Sequence, residues 1–412
     1  DVERSRGLGD VYKRQVQTGF YNLSKFRTLG DVEQQKVWNE AKSLYEYVDG
    51  DRSLIILLYG IVTLSLILVF FLIAKSSLKQ AYRLECQSKK GEQILTLKQE
   101  LKELLNGNLH ITLLTFPVLG VLMFTILPLV FMISMAFTNY SVEGNKLVLF
   151  DWVGLENFRK IFDFGGSLGQ TFWSVLGWTM VWAVVATFSN YILGMLLALF
   201  INWKEIRAKK MWRFCFALTV AIPHFVTLLI IKSMLQPEGA VNILLRNLGL
   251  IGATQSLPFF TDATWARVVV ILINIWVGVP YTLLQVTGIL QNIPTELYEA
   301  ARVDGAGPIV TFMKITLPYM LFVTTPYLIT TFTGNVNNFN VIFLTTEGLP
   351  RSVGSTAGKT DLLITWLYKL TIENQYFDVG AVVGIMTFVT LTIVSLVTFT
   401  FSGSNRNEEA FR

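Results

Sequence analysis

Seven long apolar blocks run through this chain and leave few folds open to it. They are Leu54–Ala74, Ile111–Phe137, Phe172–Asn202, Trp212–Leu235, Ala266–Leu290, Pro318–Phe343 and Val379–Phe401. Each is near or above the roughly 20 residues an α-helix needs to cross a bilayer. In lipid every backbone group must find a partner within the protein, so spans of this length are expected to be helices. A β-barrel would show short alternating segments instead, and no alternation here is sustained. The charged fraction is 15%, where a soluble chain carries about 25%. The expected fold class is therefore an all-α integral membrane protein, a multi-span helical bundle.

A formal net charge of +5 over 412 residues raises the question of nucleic acid, but the positions of the basic residues argue against it. Lys75–Lys102 follows the first block and Lys204–Arg213 follows the third, and both are rich in Lys and Arg. The segments Asn139–Thr171, Gln236–Trp265 and Leu344–Asp378 show no such excess. With alternating spans, the positive-inside rule makes the basic segments cytoplasmic and places the C-terminus inside. The expected location is a cell membrane, crossed several times. Residues 1–53 are polar, with a helical pattern over Val32–Tyr47 and no spanning block or signal-peptide pattern. Seven spans with an inner C-terminus would put this segment outside. The expectation is that a native helix precedes the chain and that Asp1–Gln15 is unrelated sequence joined to it.

Beyond that segment, residues 54–110 read as an accessory span followed by a basic linker. Ile94, Leu97, Leu101, Leu104 and Leu105 recur there at helical spacing, as in a helix lying on the inner membrane surface. Residues 111–402 form a six-span core containing a cytoplasmic loop, 291–318, and 403–412 form an inner tail. The outer segment Gly154–Phe162 reads as a short surface helix before the third span. Cys86 and Cys215 fall in a loop and a span, and His110 and His224 are too far apart to cluster, so no disulfide, metal site or cofactor is expected. His224 follows Pro223 inside a span, where an ionisable group is a functional candidate, although a packed, hydrogen-bonded neutral His is the preferred reading. No cluster of His, Asp, Glu or Cys lies within the membrane to suggest catalysis, so no catalytic residue is assigned.

The loop after the fifth block carries the most specific pattern. It reads Pro294-Thr-Glu-Leu-Tyr-Glu-Ala-Ala-Arg-Val-Asp-Gly305. Pro294 and Thr295 suit a helix start, and Gly305 suits the left-handed residue just past its end. A second short helix is expected to begin at Pro308 and stop at Pro318, which would open the sixth span. Small Ala300 and Ala301 would let a partner approach closely. Two short helices held between two spans could pass a push from a soluble partner into the membrane.

Glu299-Ala300-Ala301, Gly305, Ile315 and Leu317-Pro318 resemble, in order and spacing, the EAA motif of ABC importer permeases. The resemblance extends to Phe150–Phe158, Asn335–Asn340 and Ala357–Tyr368, which look like maltose/maltodextrin permease subunits of the MalF type, and it covers roughly residues 54–402. It implies a type I importer permease fold (MetI-like) and a transport subunit with no ATPase site of its own. In that family the loop is a coupling helix in which Glu299 makes polar contact with an ATPase and Gly305 permits the turn. The implied partners are a second, MalG-like permease, two ATP-binding subunits, an extracytoplasmic sugar-binding protein, a neutral oligosaccharide and the lipid around them, with no nucleic acid. The chain departs from some members in lacking a large outer insert between the second and third blocks, and in lacking the family's usual N-terminal span.

A neutral sugar needs hydrogen-bonding groups and aromatic faces inside the membrane, and few charges. The fifth block offers Asn274, Gly278, Tyr281 and Gln285 on one helix face, and the sixth offers Thr331, Asn335 and Asn338 at similar spacing. The alternative is that these groups only bond helix to helix. The resemblance implies sugar contacts at Asn274, Val277, Gly278, Tyr281, Thr282, Thr331, Asn335 and Asn338; Thr331 replaces a serine and Thr282 a bulkier residue. Gly354-Ser-Thr-Ala-Gly-Lys-Thr360 mimics a phosphate-binding loop, but Val353 stands where its first Gly belongs and no strand precedes it. An ion-coupled transporter is the competing class. It would place ionisable groups in the spans, where only His224 and Lys232 stand out, and Lys232 can snorkel outward. A permease for another sugar or polyol is the nearer alternative.

Overall fold

The computed structural model describes residues 19–29, 35–39, 44–48, 52–91, 99, 102, 106–107, 109–203 and 205–401. By its contacts the chain forms two units, residues 1–159 with 375–382 and residues 160–374 with 383–412. Six described helices are long and apolar enough to cross a membrane, and a bent pair makes a possible seventh span.

In the first unit, β1 (Gln35–Asn39) pairs antiparallel with β2 (Leu44–Val48). Where a helical pattern is expected over Val32–Tyr47, the described residues are two paired strands. The runs Gln-Lys-Val-Trp-Asn and Leu-Tyr-Glu-Tyr-Val are rich in β-branched and aromatic residues that suit a pleated surface. Helix α1 (Ser53–Lys89) has 37 residues, so the first apolar block and the basic stretch as far as Lys89 form one helix of about 55 Å. The amphipathic pattern of Ile94–Leu105 lies outside the described residues. Helix α2 (Leu109–Val121) runs through a π-helical turn, Leu122–Ile126, into α3 (Leu127–Met135). Helix α4 (Glu156–Phe162) is the short helix expected after Gly154. Asn157 fixes its start by donating to the carbonyls of Ala136 (3.1 Å) and Thr138 (2.6 Å).

The second unit is organised around α5 (Ser167–Asn202), of 36 residues. The fourth apolar block is not one straight helix. It is α6 (Lys209–Ala221) and α7 (His224–Met234), bent by 85°. Pro223 disfavours helical geometry at the residue before it, and Ile222 is extended (φ −75°, ψ 129°). After α8 (Ala240–Asn247) comes α9 (Ala263–Leu290), capped by Asp262, whose carboxylate accepts from Thr264 N (2.9 Å) and Trp265 N (3.0 Å). A hairpin of α10 (Thr295–Val303) and α11 (Pro308–Thr311) leads through a π-helical turn, Phe312–Thr316, into α12 (Leu317–Val336). Then follow α13 (Phe339–Thr345), α14 (Leu363–Tyr368) and α15 (Phe377–Phe401).

Pro318 does not stop the helix that begins at Pro308, contrary to the sequence expectation. A proline normally clashes with the carbonyl four residues earlier. Here the preceding turn widens, and Leu317 N bonds Phe312 O five residues back, so the helix passes the ring. The same device precedes Pro128, where Leu127 N bonds Leu122 O.

Helix α5 packs against α9 and α12, and α13 packs against α7 and α9. One apolar cluster gathers Trp178, Trp182, Val270, Ile273, Val336 and Ile342. Another gathers Tyr191, Met195, Leu283, Val286, Ile293 and Met320. Helices α5 and α9 approach closely at Gly194, where a Cβ would lie 2.6 Å from Thr282 Cβ and 3.2 Å from Leu283 N. Small residues at such crossings let helices gain close packing that lipid cannot supply. Away from these contacts α9 stays apolar and open, with Trp276 73% exposed, as a lipid-facing side chain should be.

Candidate functional site

Two features of the second unit carry chemistry: an uncharged polar layer among α5, α9, α12 and α13, and the α10–α11 hairpin. The layer is built from amides. Asn335, on α12, is buried and donates from Nδ2 to Thr187 Oγ1 on α5 (2.9 Å), while its backbone carbonyl accepts from Trp182 Nε1 (3.0 Å). Asn338 Nδ2 donates to Asn274 Oδ1 on α9 (3.2 Å), and Asn338 Oδ1 accepts from Val341 N (3.2 Å). One turn along α9 from Asn274, Gly278 leaves a notch filled by Asn190 of α5. A Cβ there would lie 2.4 Å from Asn190 Nδ2.

Asn274 and Gly278 lie one turn apart on α9 and Asn335 lies on α12, the helical positions that their sequence spacing implies. Asn338 differs. Helix α12 ends at Val336, Asn337 leaves helical geometry (φ −96°, ψ 22°), and Asn338 is the N-cap of α13. It therefore meets Asn274 as a cap residue and not as the next member of a helical stripe. Thr331 is half-buried, and Tyr281 is 47% exposed. Sequence reading missed Thr187 and Asn190. The available signal was two polar residues three apart in the middle of a long apolar helix, where polar side chains face other helices and not lipid.

The hairpin is rigid by construction. At the end of α10, Ala306 N bonds Ala301 O (2.8 Å) and Gly305 N bonds Arg302 O (3.0 Å), with Gly305 at φ +73°. This paired closure satisfies carbonyls that the helix end would leave open, and it requires the left-handed conformation that glycine adopts without strain. Ile293 is buried beneath the hairpin, and Tyr298 Oη bonds Thr316 Oγ1 (3.1 Å), tying α10 to the start of the next span. Glu299 and Ala300 are exposed, Ile315 is half-buried and Pro318 is exposed. Ala301 differs from the sequence expectation of an open small residue: it is buried against its own chain. The tip presents Val303 (88% exposed) and Ile309 (78% exposed), apolar side chains left uncovered.

The loop after α13 is built around a buried ion pair. Asp361 accepts from Lys369 Nζ (2.7 Å), Gly358 N (2.7 Å) and Thr365 Oγ1 (2.9 Å), and Lys369 also donates to Glu347 O (2.7 Å). Gly358 N of the phosphate-loop mimic is thus already engaged within the loop. His224 opens α7 with Nε2 buried and no hydrogen-bond partner among the described residues, so the hydrogen-bonded packing expected for it is not seen. Lys232 pairs with Glu347.

Against known proteins, a family model for the inner membrane component of binding-protein-dependent transport systems matches residues 190–406. The galactooligosaccharides transport system permease protein GanP of Bacillus subtilis (strain 168) is 34% identical over 98% of this chain and 96% of its own length. The maltodextrin transport system permease protein MdxF of the same organism is 37% identical over 87% of this chain and 84% of its own. The maltose/maltodextrin permease protein MalF of Escherichia coli (strain K12) is 36% identical over 59% of this chain and 48% of its own. The crystal structure of a bacterial ABC transporter that imports alginate aligns with a TM-score of 0.61 and 22% identity, covering 76% of this chain and 99% of that one, a likeness of fold. The family match takes in just over half of the 412 residues and includes both the amide layer and the hairpin. This chain is a membrane protein and belongs to the family of inner-membrane components of binding-protein-dependent transport systems.

Proposed function

We propose that this chain is the permease subunit of an ATP-driven sugar importer, forming half of the translocation pathway beside a second permease. ATP is hydrolysed by separate subunits that grip the α10–α11 hairpin, and an extracytoplasmic binding protein delivers the sugar. The hairpin carries this reading. Its glycine-closed turn, buried root and uncovered Val303 and Ile309 make a stiff, sticky projection between two spanning helices. Glu299 and Ala300 lie on its exposed side, Gly305 sets the turn, and Ile315 and Pro318 transmit its movement into α12. Ala301 holds the hairpin to its own chain.

The amide layer is the proposed sugar site. Asn274, Gly278, Tyr281, Thr331, Asn335 and Asn338 are uncharged, as a neutral oligosaccharide requires, and the amides can exchange their mutual bonds for sugar hydroxyls. Maltodextrin is the proposed cargo, supported by the likeness to the maltodextrin permease MdxF and the maltose/maltodextrin permease MalF. A galactooligosaccharide is the second reading, favoured by the match to GanP over 98% of the chain. The C-terminus and the hairpin are assigned to the cytoplasm from the distribution of Lys and Arg.

The test is uptake of labelled maltotriose and of a galactooligosaccharide into vesicles carrying the assembled transporter. The expected result is accumulation that requires internal ATP and the ATPase subunits, with maltotriose preferred. Uptake driven by an ion gradient without those subunits would contradict the proposal.

A further inference from the structure

We infer that Asn190 on α5 is a sugar-positioning residue, its Oδ1 accepting a hydroxyl of the cargo beside Gly278. The inference rests on the sugar-importer reading and adds a residue that neither the sequence pattern nor the family resemblance assigned.

Among the described residues, the buried atoms Asn190 Oδ1 and Asn274 Nδ2 of the layer have no hydrogen-bond partner. Both side chains are more than nine-tenths buried. Asn335 Nδ2 is paired with Thr187 Oγ1 and Asn338 Nδ2 with Asn274 Oδ1. Leaving a buried amide atom unmatched is unfavourable, and in membrane interiors no bulk water compensates. One orphan is an acceptor and the other a donor, and they sit near Gly278, separated by about one turn of α9. A sugar hydroxyl both donates and accepts, so it complements this pair as an ion or an apolar ligand would not. Gly278 explains how the Asn190 amide comes to lie against the α9 backbone. Its missing Cβ makes the space that Asn190 occupies, so withdrawal of the Asn190 side chain would admit a substituent of sugar-hydroxyl size against the α9 backbone.

The experiment uses the full transporter, with its partner permease, ATPase subunits and binding protein, reconstituted in vesicles. Uptake of maltotriose and of a series of its monodeoxy analogues is measured for the wild type, Asn190→Ala and Asn190→Ser. Discrimination by the binding protein is common to all three and divides out of the ratios. For one missing hydroxyl, the wild type should discriminate about three- to tenfold more strongly than Asn190→Ala. Asn190→Ser, which keeps an acceptor, should retain part of that difference and serves as the readout if Asn190→Ala fails to assemble. A uniform slowing of all analogues would mean that Asn190 only packs against Gly278, with Oδ1 met by water, and would overturn the inference while leaving the importer reading intact. Absence of sugar uptake by the wild type would overturn both.

Discussion

Single substitutions in the second unit should separate by whether they remove a bond or force a clash. Asn335→Leu removes one amide–hydroxyl bond to Thr187, and such interhelical bonds are worth about 1 kcal/mol or less. Gly194→Val drives a side chain into Thr282 and the α9 backbone, with the 2.6 Å and 3.2 Å separations leaving no room. Overpacking of that kind typically costs about 1–3 kcal/mol, more where backbone must move. Heating the purified assembly should therefore dissociate Gly194→Val several degrees below wild type, with Asn335→Leu between them. The reverse order would contradict the packing described. Lys369→Met leaves Asp361 buried without its cation, an arrangement that costs about 3–5 kcal/mol. Adding Asp361→Leu should recover much of the loss, as measured by the same melting experiment.

At the scale of elements, the sequence was most legible where one residue type has one local role. Pro294 and Thr295 at the start of α10 and Gly305 as the residue past its end are such cases, because helix ends obey rules that operate over three or four residues. Ranges were less legible where tertiary packing overrides periodicity. The sixth apolar block reads as one helix through Phe343, yet its polar stripe is split because Asn338 caps α13 and so ends the row begun by Thr331 and Asn335. Pro318 reads as a stop, yet a widened turn lets the helix pass. Asn190 escaped notice because a lone amide in an apolar run gains meaning only when Gly278 is known to face it. The strands β1 and β2 were missed because apolar residues in Val32–Tyr47 satisfy a helical spacing by chance, while their β-branched and aromatic character favours a hairpin.

For the whole molecule, the distribution of Lys and Arg predicts an orientation that contacts within the chain do not determine. In a background of Cys86→Ser and Cys215→Ala, a cysteine at Val303 is exposed enough to react freely. It should be labelled by a membrane-impermeant thiol reagent only in inverted vesicles, and a cysteine at Val353 only from the outside. Labelling of both from one side would contradict the alternating topology.

The importer reading turns on whether the hairpin transmits the work of ATP hydrolysis to the membrane helices. Gly305→Val tests this most directly. A β-branched residue at φ +73° is strained by about 1–2 kcal/mol and loosens the turn that stiffens the hairpin. In reconstituted vesicles, sugar uptake should fall at least about tenfold while the ATPase subunits still hydrolyse ATP without stimulation by sugar. Uptake at the wild-type rate, still coupled to hydrolysis, would contradict the account.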